Sequence, residues 1–282
     1  MKTIREILPQ AVQFLRERKI SNARLSSEEI LAFAMGTRRL DLYLNFDCPV
    51  KEDELVVARE LLKKRAHGTP LEYILGKIDF FGVRLKITAD VLIPRQETEI
   101  LAELVMKEMQ KQDLRDKVLW DICCGSGCLG LSLKKKFPEV KVFLSDISTK
   151  ALNLAKENAS QNALTVEFLE GDFIQPFAGK KADFVVCNPP YISEIEYKAL
   201  DPEVREFEPK EALLSGPSGL EFYERLAKGL PSLLNPGAKV FLEIGESLGS
   251  QVKNIFSKVP SRFQEIRKDW AGKDRFFFLE IE

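Results

Sequence analysis

The sequence predicts an α/β protein, with a seven-stranded, mostly parallel sheet preceded by a small helical bundle. Three observations carry this. Apolar residues recur at helical spacing through the first 75 positions, with no strand signal among them. From Val118 onward short apolar runs alternate with helical segments, the pattern of a parallel sheet covered on both faces. The 282 residues are enough for two domains of ordinary size.

In the N-terminal region Ile4, Ile7, Leu8, Ala11, Val12 and Leu15 mark one buried helix face. Ser26 and Glu29 have capping-box spacing ahead of Ile30 and Leu31, predicting a helix start there. A third helix is expected from about Glu52 to His67, stopped by Gly68, with Pro70 ending helical character. Residues 76–88 change period and predict a hairpin turning at Gly82, taken as a linker. The division expected is therefore 1–75 helical, 76–88 hairpin and 89–282 catalytic.

Within the last region a helix is expected from about Thr98 to Gln110. Strands are predicted at 118–122, 140–145, 166–169, 184–187, 240–244, 263–267 and 276–281. Helices fall at about 129–137, from Ser148 to 162, and at 220–234. Asp269–Asp274 is short enough to make the last two strands antiparallel neighbours.

Net charge is −1, so no global basic field points to nucleic acid. No long apolar run predicts a membrane span, and the mixed charges of the first six residues do not read as a signal peptide. Five cysteines, three of them within 123–128, suggest reduced thiols in a cytoplasmic protein. They lack Cys-x-x-Cys spacing, so no metal is expected. A single histidine, His67, excludes chemistry needing two; it is read as a helix-end residue, and Lys134–Lys136 as the solvated end of another helix.

Asp121-Ile122-Cys123-Cys124-Gly125-Ser126-Gly127 leaves a strand and enters a helix, where free N–H groups and glycine let backbone approach a ligand. Asp146 ends the next strand, 19 residues after Gly127, where a carboxylate can accept both ribose hydroxyls. Gly125, Gly127 and Gly130 also satisfy the dinucleotide fingerprint, so a nicotinamide dehydrogenase competes with an S-adenosylmethionine enzyme. Asp121 favours the second, because it suits an ammonium and repels a pyrophosphate. A plain strand-turn-helix is the third reading.

Asn188-Pro189-Pro190-Tyr191 follows the apolar run 184–187. A planar amide or aryl-amine nitrogen has a delocalised lone pair and needs orientation toward its methyl donor. Asn188 Oδ1 can accept one N–H and the Pro189 carbonyl the other. Pro190 stiffens the backbone and Tyr191 offers a flat surface. A Pro-rich turn alone would be weak evidence; after the glycine loop and Asp146 it points to planar-nitrogen methylation.

Residues 91–99, Val-Leu-Ile-Pro-Arg-Gln-Glu-Thr-Glu, together with Tyr73–Gly76, Phe80-Phe81, Phe207–Pro209, Glu243–Gly245 and Ala271–Arg275, resemble the HemK/PrmC family. These are bacterial peptide chain release factor N5-glutamine methyltransferases. The resemblance spans essentially the whole chain. It implies a Rossmann-like class I methyltransferase sheet, S-adenosylmethionine as cofactor, and the glutamine of the Gly-Gly-Gln loop in class-1 release factors as substrate. It implies cofactor contacts at Asp121, Cys123, Cys124, Gly125, Ser126, Gly127, Asp146, Phe173 and Asn188. It also implies substrate contacts at Asn188, Pro189, Pro190 and Tyr191, with Asn188, Pro189 and Tyr191 catalytic. No nucleic-acid or membrane partner is expected. The family usually carries Gly-Thr at Cys123-Cys124, which puts the local backbone there in question. Leu248 stands where a glutamine is common.

Arg95, with Glu97 and Glu99, is expected either to face the cleft or to form a surface ion pair. Two other function classes remain open: methylation of another planar nitrogen, and a non-catalytic binding module with an impaired cofactor loop.

Overall fold

The computed structural model describes residues 2–282. The chain forms two compact units: residues 1–76 with 201–207, and 77–200 with 208–282.

The first unit contains α1 (Ile4–Glu17), α2 (Ala23–Ala34), α3 (Arg39–Leu44), α4 (Glu52–Ala66) and α5 (Leu71–Leu75). Its core gathers Ile4, Leu8, Val12, Leu31, Leu42, Val50 and Leu55. The expected helix start at Ser26 is wrong: α2 begins at Ala23, and Ser26 is buried inside it. Its hydroxyl meets a side chain instead of capping: the buried Arg65 donates to Ser26 Oγ at 3.2 Å, the Thr69 carbonyl at 2.9 Å and Glu203 Oε2 at 2.8 Å. Pro70 does not end helical character either; it precedes α5, where a missing N–H costs nothing. His67 caps α4, its Nδ1 2.7 Å from the Lys63 carbonyl.

The second unit opens with the hairpin β1 (Lys77–Phe80) and β2 (Val83–Lys86). Then follow α6 (Gln96–Met109), β3 (Val118–Ile122), α7 (Cys128–Lys136), β4 (Lys141–Asp146), α8 (Thr149–Gln161), β5 (Glu167–Glu170) and β6 (Ala182–Cys187). After β6 come β7 (Ile192–Ser193), α9 (Glu194–Ala199), α10 (Pro202–Phe207) and β8 (Leu214–Gly216), none expected from the sequence; α10 belongs to the first unit. The chain finishes with α11 (Glu221–Gly229), β9 (Leu234–Glu243), α12 (Gly249–Phe256), β10 (Ser261–Lys268) and β11 (Asp274–Ile281).

The central sheet has seven strands in the order β10-β11-β9-β6-β3-β4-β5. The pairs β5–β4, β4–β3, β3–β6 and β6–β9 are parallel; β11 runs antiparallel to both β9 and β10. Progression along the chain reverses between β3 and β6, and open α/β sheets bind ligands at that switch point. Trp120 and Phe177 stack at 4.1 Å in the core beneath it.

The hairpin is held by side chains of α8 and of its C-cap residue, Asn162. Asn162 accepts from Arg84 N at 3.0 Å and donates to Arg84 O at 2.7 Å. Asn158 does the same for Lys86, at 2.7 and 3.1 Å, and also donates to Ser126 O at 2.9 Å. No helix among the described residues is long and apolar enough to cross a membrane.

Candidate active site

The β3–β6 register pairs Ile122 with Cys187, so the segments beginning at Cys123 and Asn188 leave the sheet side by side. A cleft opens there, lined by Asp121, Cys123, Cys124, Gly125 and Ser126 from the β3 loop. Ser145, Asp146 and Ile147 line it from the end of β4, and Asp172, Phe173 and Phe222 from a third side. Asn188, Pro190, Pro94 and Thr98 also contribute to the wall. Gly127, Pro189 and Tyr191 do not line it; they shape the residues that do.

Asp121 is 1% exposed, and among the described residues its Oδ2 accepts only the Gly130 N–H, at 2.7 Å. A Cβ on Gly130 would sit 2.9 Å from that oxygen, so glycine is what lets the helix start close over the acid. No cation pairs with Asp121 among the described residues, and burial pushes its pKa up to about 7. A buried carboxylate facing a cleft without a counter-charge fits a ligand ammonium. Asp146 accepts Gly125 N–H and Ser148 N–H, each at 2.9 Å, one on each oxygen. Each oxygen keeps a lone pair for a further donor such as a ribose hydroxyl. The Ser145 hydroxyl, buried in the cleft wall, has no hydrogen-bond partner among the described residues.

Cys123 carries φ 60°, the left-handed conformation that the family's glycine adopts without strain. The turn lets it pack against the core cluster that contains Cys187. All five cysteines are free, and burial pushes the thiols of Cys124, Cys128 and Cys187 above the ordinary range. Among the described residues no group of three or more His, Cys, Asp or Glu side chains could hold a metal.

Phe173 is buried and meets Phe222 edge-on at 5.0 Å, with the Arg225 guanidinium 5.0 Å from its ring centre. The two rings, inclined at 78° to each other, give this side of the cleft an apolar corner suited to a purine. Asn188 Nδ2 lies 3.3 Å from Thr98 Oγ1. Tyr191 donates to Glu243 Oε1 at 3.3 Å, and burial raises its hydroxyl pKa. Gly219, at φ 81°, lets the chain pass the Tyr191 carbonyl, since a Cβ there would stand 2.6 Å from that oxygen. Arg95 pairs with the buried Glu208 at 2.5 Å, and Glu208 also accepts Ile93 N–H at 3.2 Å. It is Val91, Leu92, Pro94 and Thr98 of this segment that line the cleft, not Arg95.

Ser145, Ile147, Phe222, Thr98 and Glu243 were not among the residues expected from sequence. Thr98, Phe222 and Glu243 lie within family-like segments, so a signal existed; Ser145 and Ile147 are joined to the site only by the fold.

Residues 94–202 match the family model for the methyltransferase small domain, and residues 6–76 match the PrmC N-terminal domain. A release factor glutamine methyltransferase of Chlamydia trachomatis is 43% identical over 277 residues, covering 98% of this chain and 94% of that one. The chain belongs to the release factor glutamine methyltransferase family. A second member, from Geobacter sulfurreducens, is 38% identical over 91% of this chain and 89% of its own. Among solved structures, the T. thermophilus 16S rRNA N2 G1207 methyltransferase in complex with AdoMet and guanosine shares the fold. It has a TM-score of 0.53 and 16% identity, covering 73% of this chain and 50% of that chain. The sheet is thus a methyltransferase sheet, as the sequence predicts, and the N-terminal helices carry the family's own domain.

Proposed function

We propose that this chain transfers a methyl group from S-adenosylmethionine to the side-chain nitrogen N5 of the glutamine in the Gly-Gly-Gln loop of class-1 release factors. The observation that carries the reading is the placement of Asn188. It leaves the sheet beside the loop of Asp121 and Cys123, and its Nδ2 is engaged by Thr98. Its Oδ1 is then free to accept an N–H from a planar amide.

The bound cofactor supplies an electrophilic methyl group. Asp121 holds its ammonium, Asp146 its ribose hydroxyls, and Phe173 with Phe222 flanks its adenine. Cys123–Gly127 lie along its amino-acid end. Asn188 Oδ1 and the Pro189 carbonyl orient the two amide hydrogens of the glutamine, while Pro190 and Tyr191 set the backbone and a flat face for it. This geometry aligns the nitrogen lone pair, and the two acceptors stabilise positive charge as it develops there. No general base is needed, because the amide proton becomes acidic only once the new bond has formed.

A side-chain amide offers few contacts, so selectivity for one glutamine must arise away from the reacting atoms. We assign that role to the helical unit at residues 1–76, as a docking element for the release factor in the cytoplasm. The test of the function is methyl transfer to purified release factor, with the modified residue located by mass spectrometry. Modification at the Gly-Gly-Gln glutamine supports the reading; modification only of a ribosomal protein or of DNA adenine overturns it.

A further inference from the structure

We propose that Thr98 and Glu243 form a one-way hydrogen-bond relay that fixes the Asn188 amide with its oxygen toward the substrate, making both positioning residues for methyl transfer. The inference rests on the glutamine-methylating reading of the site.

An asparagine carboxamide is nearly symmetric in shape, and its orientation follows from its hydrogen-bond partners. Flipped, Asn188 would present an NH₂ group to the substrate N–H, donor against donor. Its Nδ2 meets Thr98 Oγ1 at 3.3 Å, but a hydroxyl can donate or accept, so this contact alone does not choose. Glu243 makes the choice. Thr98 donates to Glu243 Oε2 at 2.7 Å, and Tyr191 donates to Glu243 Oε1 at 3.3 Å. With the Thr98 proton committed to a carboxylate, its lone pairs are what remain for Asn188. Donation runs from Asn188 to Thr98 to Glu243, and the second oxygen of Glu243 steadies the Tyr191 side chain.

The relay is built into three elements: Thr98 from the first turn of α6, Glu243 from the end of β9, Asn188 from the end of β6. Thr98 and Glu243 are 2% and 1% exposed, so water does not compete. Tyr223 donates to the Glu243 main-chain carbonyl at 2.9 Å, anchoring the strand end. A buried carboxylate is tolerated here because it accepts two hydroxyls and feels the nearby Arg275. Burial still pushes Glu243 up to about 7, opposed by Thr98, Arg275 and Tyr191, while Glu97 adds to the rise. A protonated Glu243 could donate to Thr98 and let the relay reverse. The direction of the relay therefore belongs to the carboxylate form.

The test uses the full chain with purified release factor and saturating S-adenosylmethionine. Thr98→Val keeps the shape and deletes the hydroxyl; kcat should fall by about 10²-fold, as for misoriented reactants. Thr98→Ser should restore kcat to within about threefold of wild type, and both variants should bind S-adenosylmethionine within about twofold of it. In wild type kcat should rise as pH increases through about 7; Thr98→Val should flatten that rise. With S-adenosylhomocysteine bound, calorimetry should show Thr98→Val and Glu243→Gln binding release factor more weakly than wild type. Wild-type kcat and pH profile in Thr98→Val would overturn the relay. So would cofactor affinity falling in step with kcat, which marks a structural role. A wild-type chain that methylates no release factor overturns the parent reading and this inference with it.

Discussion

Asp121 and Gly130 stand nine positions apart, and the Gly130 N–H donates to Asp121 Oδ2 at 2.7 Å. The start of α7 is thereby closed over a carboxylate that has no counter-ion among the described residues. Because burial raises its folded pKa to about 7 from 3.8, its stabilising contribution is present below pH 3.8 and lost as pH rises through 7. Asp121→Asn should therefore make the cofactor-free chain more stable at pH 8, by about 1–3 kcal/mol. It should also cost at least about tenfold in S-adenosylmethionine affinity. Urea unfolding and calorimetry test the two halves; a less stable variant with unchanged affinity would remove Asp121 from the site.

Asp146 accepts two backbone N–H groups and has lone pairs to spare. Asp146→Ala should weaken S-adenosylmethionine binding by about tenfold or more, since each charge-assisted bond is worth about 1.5–3 kcal/mol. Calorimetry on protein shown to be folded by circular dichroism is the check. Binding of a nicotinamide dinucleotide in its place would revive the other reading of the glycine loop.

Asn188→Ala should reduce kcat by about 10²-fold or more while leaving cofactor affinity near wild type, because the lost group orients the acceptor nitrogen. Single-turnover methylation at saturating substrate measures this. Retained turnover would refute the clamp.

Cys123 pays for its φ of 60° in backbone strain and gains packing against the core. Cys123→Gly removes strain of about 1–2 kcal/mol and gives up that packing, so stability should change little. Methyl transfer should persist, with cofactor affinity equal or tighter. An activity loss beyond about tenfold would assign the thiol a positive role in the transition state.

A chain starting at Lys77 keeps the hairpin that Asn158 and Asn162 bind, whereas one starting at Ala89, the boundary read from sequence, would strip those side chains of their partners. The Lys77 version should bind S-adenosylmethionine within about threefold of wild type and methylate release factor poorly, since docking energy is spent at the reacting centre. Full-rate methylation by it would remove the docking role from the helical unit.

The central strands were legible because each is a short apolar run bounded by turn residues, and β3, β4 and β6 end in the residues that carry chemistry. The short helices α3 and α5 were not, since six and five residues hold too little periodicity to read. Residues 192–216 escaped for another reason: Ile192 pairs with Leu214 across a long excursion, and no local pattern announces such a pair. In the site, Asp121, Asp146 and Asn188 were visible as strand-end polar residues. The bond from Thr98 to Glu243 spans 145 positions and exists only once α6 and β9 are side by side.

Asn158 of α8 and Asn162 at its C-cap have a bearing on how the protein behaves at high concentration. Each gives β2 both an acceptor and a donor, as a neighbouring strand's peptide group would. The free margin of a two-stranded ribbon is otherwise a template for pairing with another chain. Here Arg84 and Lys86 already have their main-chain groups occupied, so the β2 margin of the ribbon is closed to recruitment. Aspartate at either position could not imitate the amide: it would face the carbonyl of Arg84 or Lys86 with a second acceptor. Slow deamidation of Asn162 would therefore unseal this margin and favour self-association, whereas at Asn158 it would also release the Ser126 carbonyl of the cleft loop.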